Sequence, residues 1–377
     1  MMRVAVVVDS LKVGGAQRLV SAFASSASAY GIQPVIITLN NAKASVISES
    51  IRKAGVEVIT ITASSLFNYR RLNQLTDFLE NEKIDIVQTH LFYSNILGSI
   101  AAHRAGVPMI ATLHSVIVRE DWKGRLIQYI ETYCLRKYAT RILAVGDMVA
   151  EAHAGHYRNS KLDVIPNGIP KPQPIQSQER ERLRHEITGN GSKSIIVTVG
   201  RFAHAKGYED MIKAFNLLQQ KDLKSTLLMI GTGGMFNSIK AQIEKFQLSQ
   251  SVVLAGERND VPQLLASSDV YASSSHREGL PLAVLEAMMA GLPIVATSVG
   301  DIPNVLTDET GVVVPPHQPE MLADALEDLL KNPEKRQAMG KAAQRRAMEE
   351  YSIDAWMKKH LALYRDVLAS NGRVSST

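Results

Sequence analysis

Residues 269–297 read DVYASSSHREGLPLAVLEAMMAGLPIVAT: an apolar run, a polar loop, a helical pattern and a second apolar run. The two apolar runs have the length and the Val, Tyr and Ile content of strands, whereas LAVLEAMMAG is typical of a helix. Similar alternation fills the rest of the chain, from RVAVVV at 3–8 to GVVV at 311–314. Because strands that alternate with helices form parallel sheets with covered faces, the sequence predicts an α/β fold.

The 377-residue chain is long enough for two such sheets. Residues 165–174, IPNGIPKPQP, carry four prolines, which disfavour regular helix and central strand. We therefore predict a Rossmann-like N-terminal domain over 1–165, a linker or hinge over 166–192 and a second Rossmann-like domain over 193–355. Residues 356–377 should form a C-terminal helix and a polar tail. Two doubly wound domains facing each other across a cleft would bind ligands at the carboxyl ends of their strands.

Three features of the sequence indicate a cytoplasmic location. Cys134 is the only cysteine, so no disulfide can form within the chain, which fits a reducing compartment. The apolar run near the N-terminus is interrupted by Asp9 and is too short for a secretion signal. No stretch approaches the roughly 20 apolar residues of a membrane span. We expect a cytoplasmic protein.

Positive charge is concentrated in the first half of the chain. Residues 1–170 carry 18 Lys and Arg against 13 Asp and Glu, whereas residues 171–377 carry 24 of each. The excess is either chance variation on a solvated surface or a sign that this half meets an anionic partner. No nucleic-acid recognition motif accompanies the charge, so nucleic acid is not an expected partner.

The stretch 119–141 combines six basic and three acidic residues with Trp122, Tyr129, Tyr133 and Tyr138. A basic, aromatic segment of this kind can lie on an anionic membrane surface. It can equally be an ordinary helix that packs its aromatic residues on the sheet. On the first interpretation, the protein would associate with the inner face of the cell membrane.

Two glutamates, Glu278 and Glu286, frame seven uncharged residues. A helix that begins near Leu282 places Glu278 in a loop and Glu286 inside the helix. Eight helical residues span about 12 Å, more than the roughly 5–9.5 Å of a glycosidase carboxylate pair. The chain has no D-x-D motif and no His or Cys cluster with ligand spacing, so we expect no metal site. The remaining interpretation is that the two carboxylates accept hydrogen bonds from hydroxyl groups at two places along one ligand. The free N–H groups of the helix start, between them, could bind phosphate. A ligand with hydroxyl groups on either side of phosphate is a nucleotide sugar.

Cations and glycines follow other strands. Arg201 and Lys206, in VGRFAHAKG, either bind a diphosphate or are plain surface charges. Gly15 comes just before a helix, and Gly231 follows a strand, so both leave room for a ligand against backbone. The spacing is not G-x-G-x-x-G, which disfavours a nicotinamide oxidoreductase.

Five segments, in this order, resemble the retaining GT-B glycosyltransferases of family 4: VGGAQRLV, VIPNGI, VGRFAHAKG, GERNDVPQLLASSDVYASSS and SHREGLPLAVLEAMMAGLPIVATSVG. The resemblance spans nearly the whole chain. It implies transfer of a hexose from a nucleoside-diphosphate sugar, UDP favoured over GDP, to an acceptor hydroxyl with retention of configuration. The acceptor would be a carbohydrate or a lipid-linked sugar in cell-surface polysaccharide, lipopolysaccharide or glycolipid synthesis. No cofactor is implied, because the nucleotide sugar is a substrate.

The resemblance also implies residue roles. Glu278 would hold the donor sugar, Glu286 the ribose, and His114 would lie near the reacting centre. With Arg201 and Lys206, Glu278 and His114 form the implied catalytic set. The implied donor-binding positions are Gly15, Arg201, Lys206, Gly231, Arg258, Glu278, Gly279, Leu282, Ala283 and Glu286. The helix around Trp356 would cross back to the first domain.

Some positions depart from the family pattern. Asp301 and Asn304 stand where many members have Gly and Glu, and Pro281 stands where some have Gly. His90 matches a common family position and is either catalytic or a structural histidine at a strand end. Alternative functions are a nucleotide-sugar epimerase or phosphorylase of the same fold, and a non-catalytic nucleotide-binding partner.

Overall fold

The computed structural model describes residues 1–12, 14–40, 45–63, 68–116, 122–157, 162–189, 193–221 and 223–372. The chain divides into two compact units. The first consists of Met1–Pro170 and Ile353–Thr377, and the second of Lys171–Ser352.

The elements of the first unit up to the division are β1 (Met2–Val8), α1 (Gly15–Ser26), a 3₁₀ turn (Ala27–Tyr30), β2 (Ile32–Thr38), α2 (Val46–Lys53), β3 (Glu57–Thr60), α3 (Tyr69–Asn81), β4 (Ile86–His90), α4 (Phe92–Arg104), β5 (Met109–Leu113), α5 (Trp122–Tyr138), β6 (Arg141–Ala144), α6 (Asp147–Ala154) and β7 (Leu162–Val164). The strands form one parallel sheet in the order β3-β2-β1-β4-β5-β6-β7. Every residue of β4 and β5 is buried, because both faces of a parallel sheet are covered.

The second unit contains α7 (Ser177–Thr188), β8 (Ser194–Val199), a 3₁₀ turn (His204–Lys206), α8 (Tyr208–Gln220), β9 (Ser225–Ile230), α9 (Phe236–Lys245), β10 (Val252–Gly256), α10 (Val261–Ala266), β11 (Val270–Ser273), α11 (Leu282–Met289), β12 (Ile294–Thr297), α12 (Ile302–Val305), β13 (Gly311–Val314), α13 (Pro319–Lys331) and α14 (Pro333–Glu350). Its strands form a parallel sheet in the order β10-β9-β8-β11-β12-β13. Two parallel sheets with helices confirm the predicted α/β class.

The last helix, α15 (Ile353–Ser370), belongs to the first unit. Trp356 and Tyr364 are buried and meet the ring of Phe23 edge-on, with centroids 6.1 and 6.3 Å apart. The Tyr364 hydroxyl donates a hydrogen bond to the Gln88 side chain of β4. A Cβ at Gly168 would lie 2.3 Å from the Cβ of Trp356, so the close approach of the chain to α15 requires glycine.

The division of the chain differs from the predicted one. The range 166–192, which we predicted to be a linker, contains the helix α7, and the second unit begins at Lys171. The prolines that disfavour helix end at Pro174, and beyond them Leu183 and Ile187 supply a buried stripe that packs on the second unit.

Candidate functional site

Two loops meet at the carboxyl edge of the second unit's sheet. β8 pairs with β11, so the turn that ends at Lys206 and the loop that precedes α11 lie side by side. The Nζ of Lys206 lies 2.6 Å from Oε1 of Glu278. Further bonds join the loops, since the His276 N–H donates to the Ala205 carbonyl (2.8 Å) and the Ser274 hydroxyl to the Lys206 carbonyl (3.1 Å).

The carboxylate of Glu278 is held in a fixed position. The buried Ser275 hydroxyl donates to the same Oε1 at 2.6 Å, and the Thr297 hydroxyl fixes Ser275 by donating to its carbonyl at 2.5 Å. The Glu278 side chain is 11% exposed. Because a carboxylate has about four acceptor positions, Glu278 keeps capacity for the hydroxyl groups of a ligand.

Close backbone contacts fix the two loops. Gly207 has a φ of 60°, and a Cβ there would lie 2.0 Å from the Ser274 carbonyl oxygen. Gly300 has a φ of 52°, and a Cβ there would lie 2.3 Å from the Gly279 carbonyl oxygen and 2.6 Å from that of Glu278. A side chain at either position would displace the loop that carries Glu278.

A small pocket opens beside Lys206 and Glu278. The residues that line it are Thr198, Val199, Lys206, Tyr208, Tyr271, Ser273, Ser274, Ser275, Glu278, Pro281 and Ala283. Burial, followed by the charge of Glu278, raises the pKa of Tyr208, which keeps its hydroxyl protonated. We did not predict Tyr208, Tyr271 or Ser275 from the sequence. Two of them could have been found from their closeness in sequence to predicted site residues. Tyr208 directly follows the Lys206–Gly207 turn, and Ser275 lies three residues before Glu278.

The helix α11 begins at Leu282, as predicted, and no side chain caps its N-terminus. The N–H groups of Leu282 and Ala283 therefore have no partner within the helix. Ala283 lines the pocket, so this positive helix end faces the same space as Lys206. Glu286 lies one turn further along α11 and is partly buried.

The other predicted donor positions of the second unit follow the strands β8, β9 and β10. Arg201 is exposed just after β8. Gly231 follows β9, and a Cβ there would lie 1.9 Å from the Gly200 carbonyl oxygen. The Arg258 guanidinium forms a fork with Asp260 (2.7 and 2.6 Å) and contacts Glu186 at 3.1 Å. These hydrogen bonds raise the pKa of Arg258 and commit its side chain to the protein, so only its backbone could serve a ligand.

The first unit brings together two histidines at strand ends. His90 ends β4, His114 follows β5, and His90 Nδ1 lies 2.8 Å from His114 Nε2. Burial lowers the pKa of His114 to about 4, and burial, followed by the neighbouring histidines, lowers the pKa of His90 well below its usual value. Both rings are therefore neutral at pH 7. Gly15, the other predicted residue of this unit, is exposed at the first position of α1.

A pocket adjoins His114. Its lining includes the buried carboxylate of Glu131, whose Oε1 accepts a hydrogen bond from the Asn95 side chain at 2.7 Å. Asn95 also accepts a hydrogen bond from the Thr89 hydroxyl at 2.6 Å. Leu91, which also lines this pocket, has a φ of 76°, an unfavourable value for a branched side chain. The sequence did not identify this polar network.

The helix α5 turns its aromatic residues outward. Trp122, Tyr129 and Tyr133 are 70%, 71% and 54% exposed, and Leu126 is 51% exposed. The interpretation that these aromatic residues pack on the sheet is therefore wrong for all three; residues 119–121 lie outside the described part of the chain. None of the helices among the described residues combines the length and apolar character needed to traverse a bilayer.

Two family models match the chain. The family model "Glycosyltransferase Family 4" matches residues 13–171, and the model "Glycosyl transferases group 1" matches residues 179–346. The first range lies in the first unit except for Lys171, and the second range lies in the second unit. Together they cover most of the chain.

Two relatives illustrate the similarity. The chain is 29% identical over 263 residues to the UDP-Gal:alpha-D-GlcNAc-diphosphoundecaprenol alpha-1,3-galactosyltransferase of Escherichia coli, covering 67% of this chain and 68% of that protein. It is 24% identical over 328 residues to the N-acetyl-alpha-D-glucosaminyl L-malate synthase of Bacillus anthracis, covering 84% and 85%.

Among solved structures, Anabaena HepE in complex with UDP-glucose superposes with a TM-score of 0.86 at 18% identity, covering 98% of this chain and 100% of that one. A sucrose-phosphate synthase from Thermosynechococcus elongatus superposes with a TM-score of 0.80 at 19% identity, covering 98% and 100%. At these identities the likeness establishes the fold.

Proposed function

Because this chain belongs to the glycosyltransferases of family 4 and has the GT-B fold, we propose that it is a retaining hexosyltransferase that takes its sugar from a UDP-sugar. The observation that carries the proposal is the fixed Lys206–Glu278 pair beside the uncapped N-terminus of α11. A cation, a carboxylate and free helix N–H groups in one pocket are the complement of a sugar diphosphate.

The proposed donor lies along the pocket. Glu278 accepts hydrogen bonds from hexose hydroxyls, and Glu286 accepts those of the ribose. The N–H groups of Leu282 and Ala283, with Lys206 and Arg201, hold the diphosphate. Lys206 then bridges Glu278 and phosphate, so its pairing in the free protein places the ammonium in advance. Gly15, Gly231, Gly279 and the backbone at Arg258 are proposed as close contacts of the donor.

The reaction breaks the bond between the anomeric carbon and the diphosphate and forms a bond to the acceptor oxygen on the same face. Negative charge develops on the leaving phosphate, which takes the acceptor proton. Lys206, Arg201 and the helix end stabilise that charge without rearranging. This fixed positive charge is the basis for proposing that the transfer requires neither a cofactor nor a metal ion at the diphosphate. His114, neutral at pH 7, is proposed to hydrogen-bond near the reacting centre.

The acceptor is proposed to be lipid-linked and held at an anionic membrane surface. Trp122, Leu126, Tyr129 and Tyr133 recur at intervals of four, three and four residues, which places them along one exposed face of α5.

Four cations accompany this face. Lys123, Arg125, Arg136 and Lys137 are exposed, whereas Glu131, the acidic residue of α5, is buried. Lys123 and Lys137 lie over the rings of Trp122 and Tyr133 at 5.5 and 5.8 Å. Aromatic rings among lysines suit the headgroup region of an anionic leaflet. A relative named for a diphosphoundecaprenol-linked acceptor supports the same assignment.

The test is a product screen with the full chain. UDP- and GDP-sugars are incubated with lipid-linked and soluble sugar acceptors, and products are identified by mass spectrometry and NMR of the new linkage. We expect transfer from a UDP-sugar with the donor's anomeric configuration. Conversion of the donor without an acceptor would favour an epimerase, and a requirement for inorganic phosphate would favour a phosphorylase. Tight UDP binding without any turnover would favour a non-catalytic partner.

A further inference from the structure

A second cluster of polar side chains includes a residue of the Glu278 loop. It consists of Asp210 in α8, His276 in the loop before α11, and His317 just before α13. The Nε2 of His276 lies 2.8 Å from Oδ2 of Asp210, and the Nδ1 of His317 lies 3.7 Å from the same oxygen. The ligand atoms of all three residues lie within 4.8 Å of one another.

The backbone of His317 has an unfavourable conformation. His317 has a φ of 60°, a left-handed conformation that is unfavourable for a residue with a side chain. Its imidazole stands against that of His276, with ring centroids 3.8 Å apart. A non-glycine residue held in this conformation often marks a functional position, because the strain must be offset elsewhere.

The orientation of Asp210 also suits a ligand. Its other oxygen, Oδ1, contacts the Lys213 ammonium at 3.3 Å, which leaves Oδ2 directed at the two histidines. The three side chains come from three separate segments, and the site is open to solvent through His317, which is 66% exposed.

We propose that Asp210, His276 and His317 form a binding site for one divalent transition-metal ion of the zinc class. The ligand atoms are Asp210 Oδ2, His276 Nε2 and His317 Nδ1, and solvent supplies a fourth position. Ligands about 2.0–2.1 Å from a tetrahedral ion lie about 3.4 Å apart. Two of the separations, 2.8 and 3.7 Å, fall on either side of that value, and the third lies within 4.8 Å, so side-chain rotations would be needed to complete the site. Two imidazoles favour zinc, nickel or copper over magnesium and calcium, which prefer oxygen.

The site takes no part in bond breaking; its effect is on the loops. His276 belongs to the loop of Glu278, and its N–H is bonded to Ala205, the neighbour of Lys206. An ion held by the side chain of His276 would therefore join this loop to α8 and to the segment before α13. We expect metal binding to raise the thermal stability of the second unit.

The test measures metal binding without any donor. Chelator-treated full-length protein without a histidine tag is titrated with ZnCl₂ by calorimetry. We expect one ion per chain, with the affinity reduced more than tenfold in His276→Gln and His317→Gln. His185→Gln, an exposed histidine of α7, is the matched control and should bind as the unsubstituted protein does. Equal zinc affinity in all four proteins would overturn the proposal, because the cluster would then be only a hydrogen-bonded network.

A glycine variant separates metal loss from misfolding. His317→Gly removes a ligand at a position where glycine relieves backbone strain, so metal-free stability should be equal or higher. Zinc should no longer raise its melting temperature, and bound Co²⁺ should lose the visible absorption bands of a nitrogen and oxygen site. A His317→Gly protein that retains the zinc-dependent rise in melting temperature would refute the assignment.

Discussion

The Lys206 ammonium and the Glu278 carboxylate, 72 residues apart in the chain, lie 2.6 Å from each other. The contact forms because β8 and β11 are neighbours in the sheet although β9 and β10 separate them in sequence. A pair assembled by topology and braced by Ser275 and Gly300 is prepared before a ligand arrives. Substitution of either residue should therefore reveal its own contribution to donor binding or turnover.

Substitution of Lys206 by alanine should weaken donor binding. A hydrogen bond to a charged group contributes about 1.5–3 kcal/mol, so the affinity for the UDP-sugar should fall by roughly tenfold or more. Lys221→Ala, which removes an exposed ion pair in the same unit, is the control. Calorimetry with UDP-sugar measures the effect, and unchanged affinity in Lys206→Ala would exclude a phosphate contact.

Substitutions of Glu278 and Glu286 should have different effects. Glu286→Gln should weaken the binding of UDP itself, because the proposed ribose contact does not depend on the sugar. Glu278→Gln should leave UDP affinity nearly unchanged and reduce turnover of the intact donor. Calorimetry with UDP and single-turnover rates distinguish these outcomes. Equal UDP affinity in both variants would mean that the ribose assignment of Glu286 is wrong.

Chelation should leave the transfer reaction intact. If Lys206, Arg201 and the N-terminus of α11 supply the positive charge at the diphosphate, as proposed, EDTA should not abolish activity. His317→Gly should give the same result, because its proposed site serves another purpose. Loss of activity in EDTA that manganese or magnesium restores would contradict metal-independent transfer.

Membrane contact should depend on the exposed face of α5. The double variant Trp122→Ser, Tyr129→Ser should bind vesicles of anionic phosphatidylglycerol roughly tenfold or more weakly, since each buried aromatic side chain contributes about 1.5 kcal/mol or more. Tyr69→Ser removes an equally exposed aromatic residue of the first unit outside this face and is the control. Co-sedimentation measures binding, which should also fall at high salt. Identical binding of the double variant and the control would refute the membrane assignment.

The first unit should lose stability in acid. Burial lowers the pKa of His360 to about 4 from a usual value of 6.5, so the unfolded chain binds this proton more readily than the folded one. Stability is therefore unaffected above pH 6.5 and falls as the pH drops towards 4, by about 2 kcal/mol at pH 5 for this histidine. His360→Gln should reduce the difference in unfolding free energy between pH 7 and pH 5, whereas exposed His185→Gln should not.

Both tryptophans, Trp122 and Trp356, lie in the first unit, so their fluorescence during urea unfolding reports on it. A pH difference that is the same in His360→Gln and in the unsubstituted protein would show that His360 does not contribute to acid sensitivity.

Local patterns were enough to predict the sheets and the start of α11, because apolar periodicity and the Gly279–Pro281 break are properties of neighbouring residues. The cluster of Asp210, His276 and His317 escaped prediction because its members are 66 and 41 residues apart and meet only through the packing of three segments.

The outward face of α5 was ambiguous for a different reason. Trp122, Tyr129 and Tyr133 have helical spacing, which identifies a common face but not the side of the helix that meets the sheet. The buried side is instead formed by Gly124, Glu131, Cys134 and Leu135. The hydrogen bond from Asn95 offsets part of the cost of burying the Glu131 carboxylate. No spacing in the sequence predicts this contact.

The return of α15 to the first unit has a consequence for biosynthesis. A ribosome completes the contiguous second unit, residues 171–352, before the helix that covers Phe23 has been made. Part of the apolar surface of the nascent first unit therefore stays exposed while about 180 further residues are translated. Their translation takes roughly 10–40 s at ordinary elongation rates. The earliest-made part of the chain is the last to be finished, and its exposure to chaperones and proteases is set by the time needed to translate the other half.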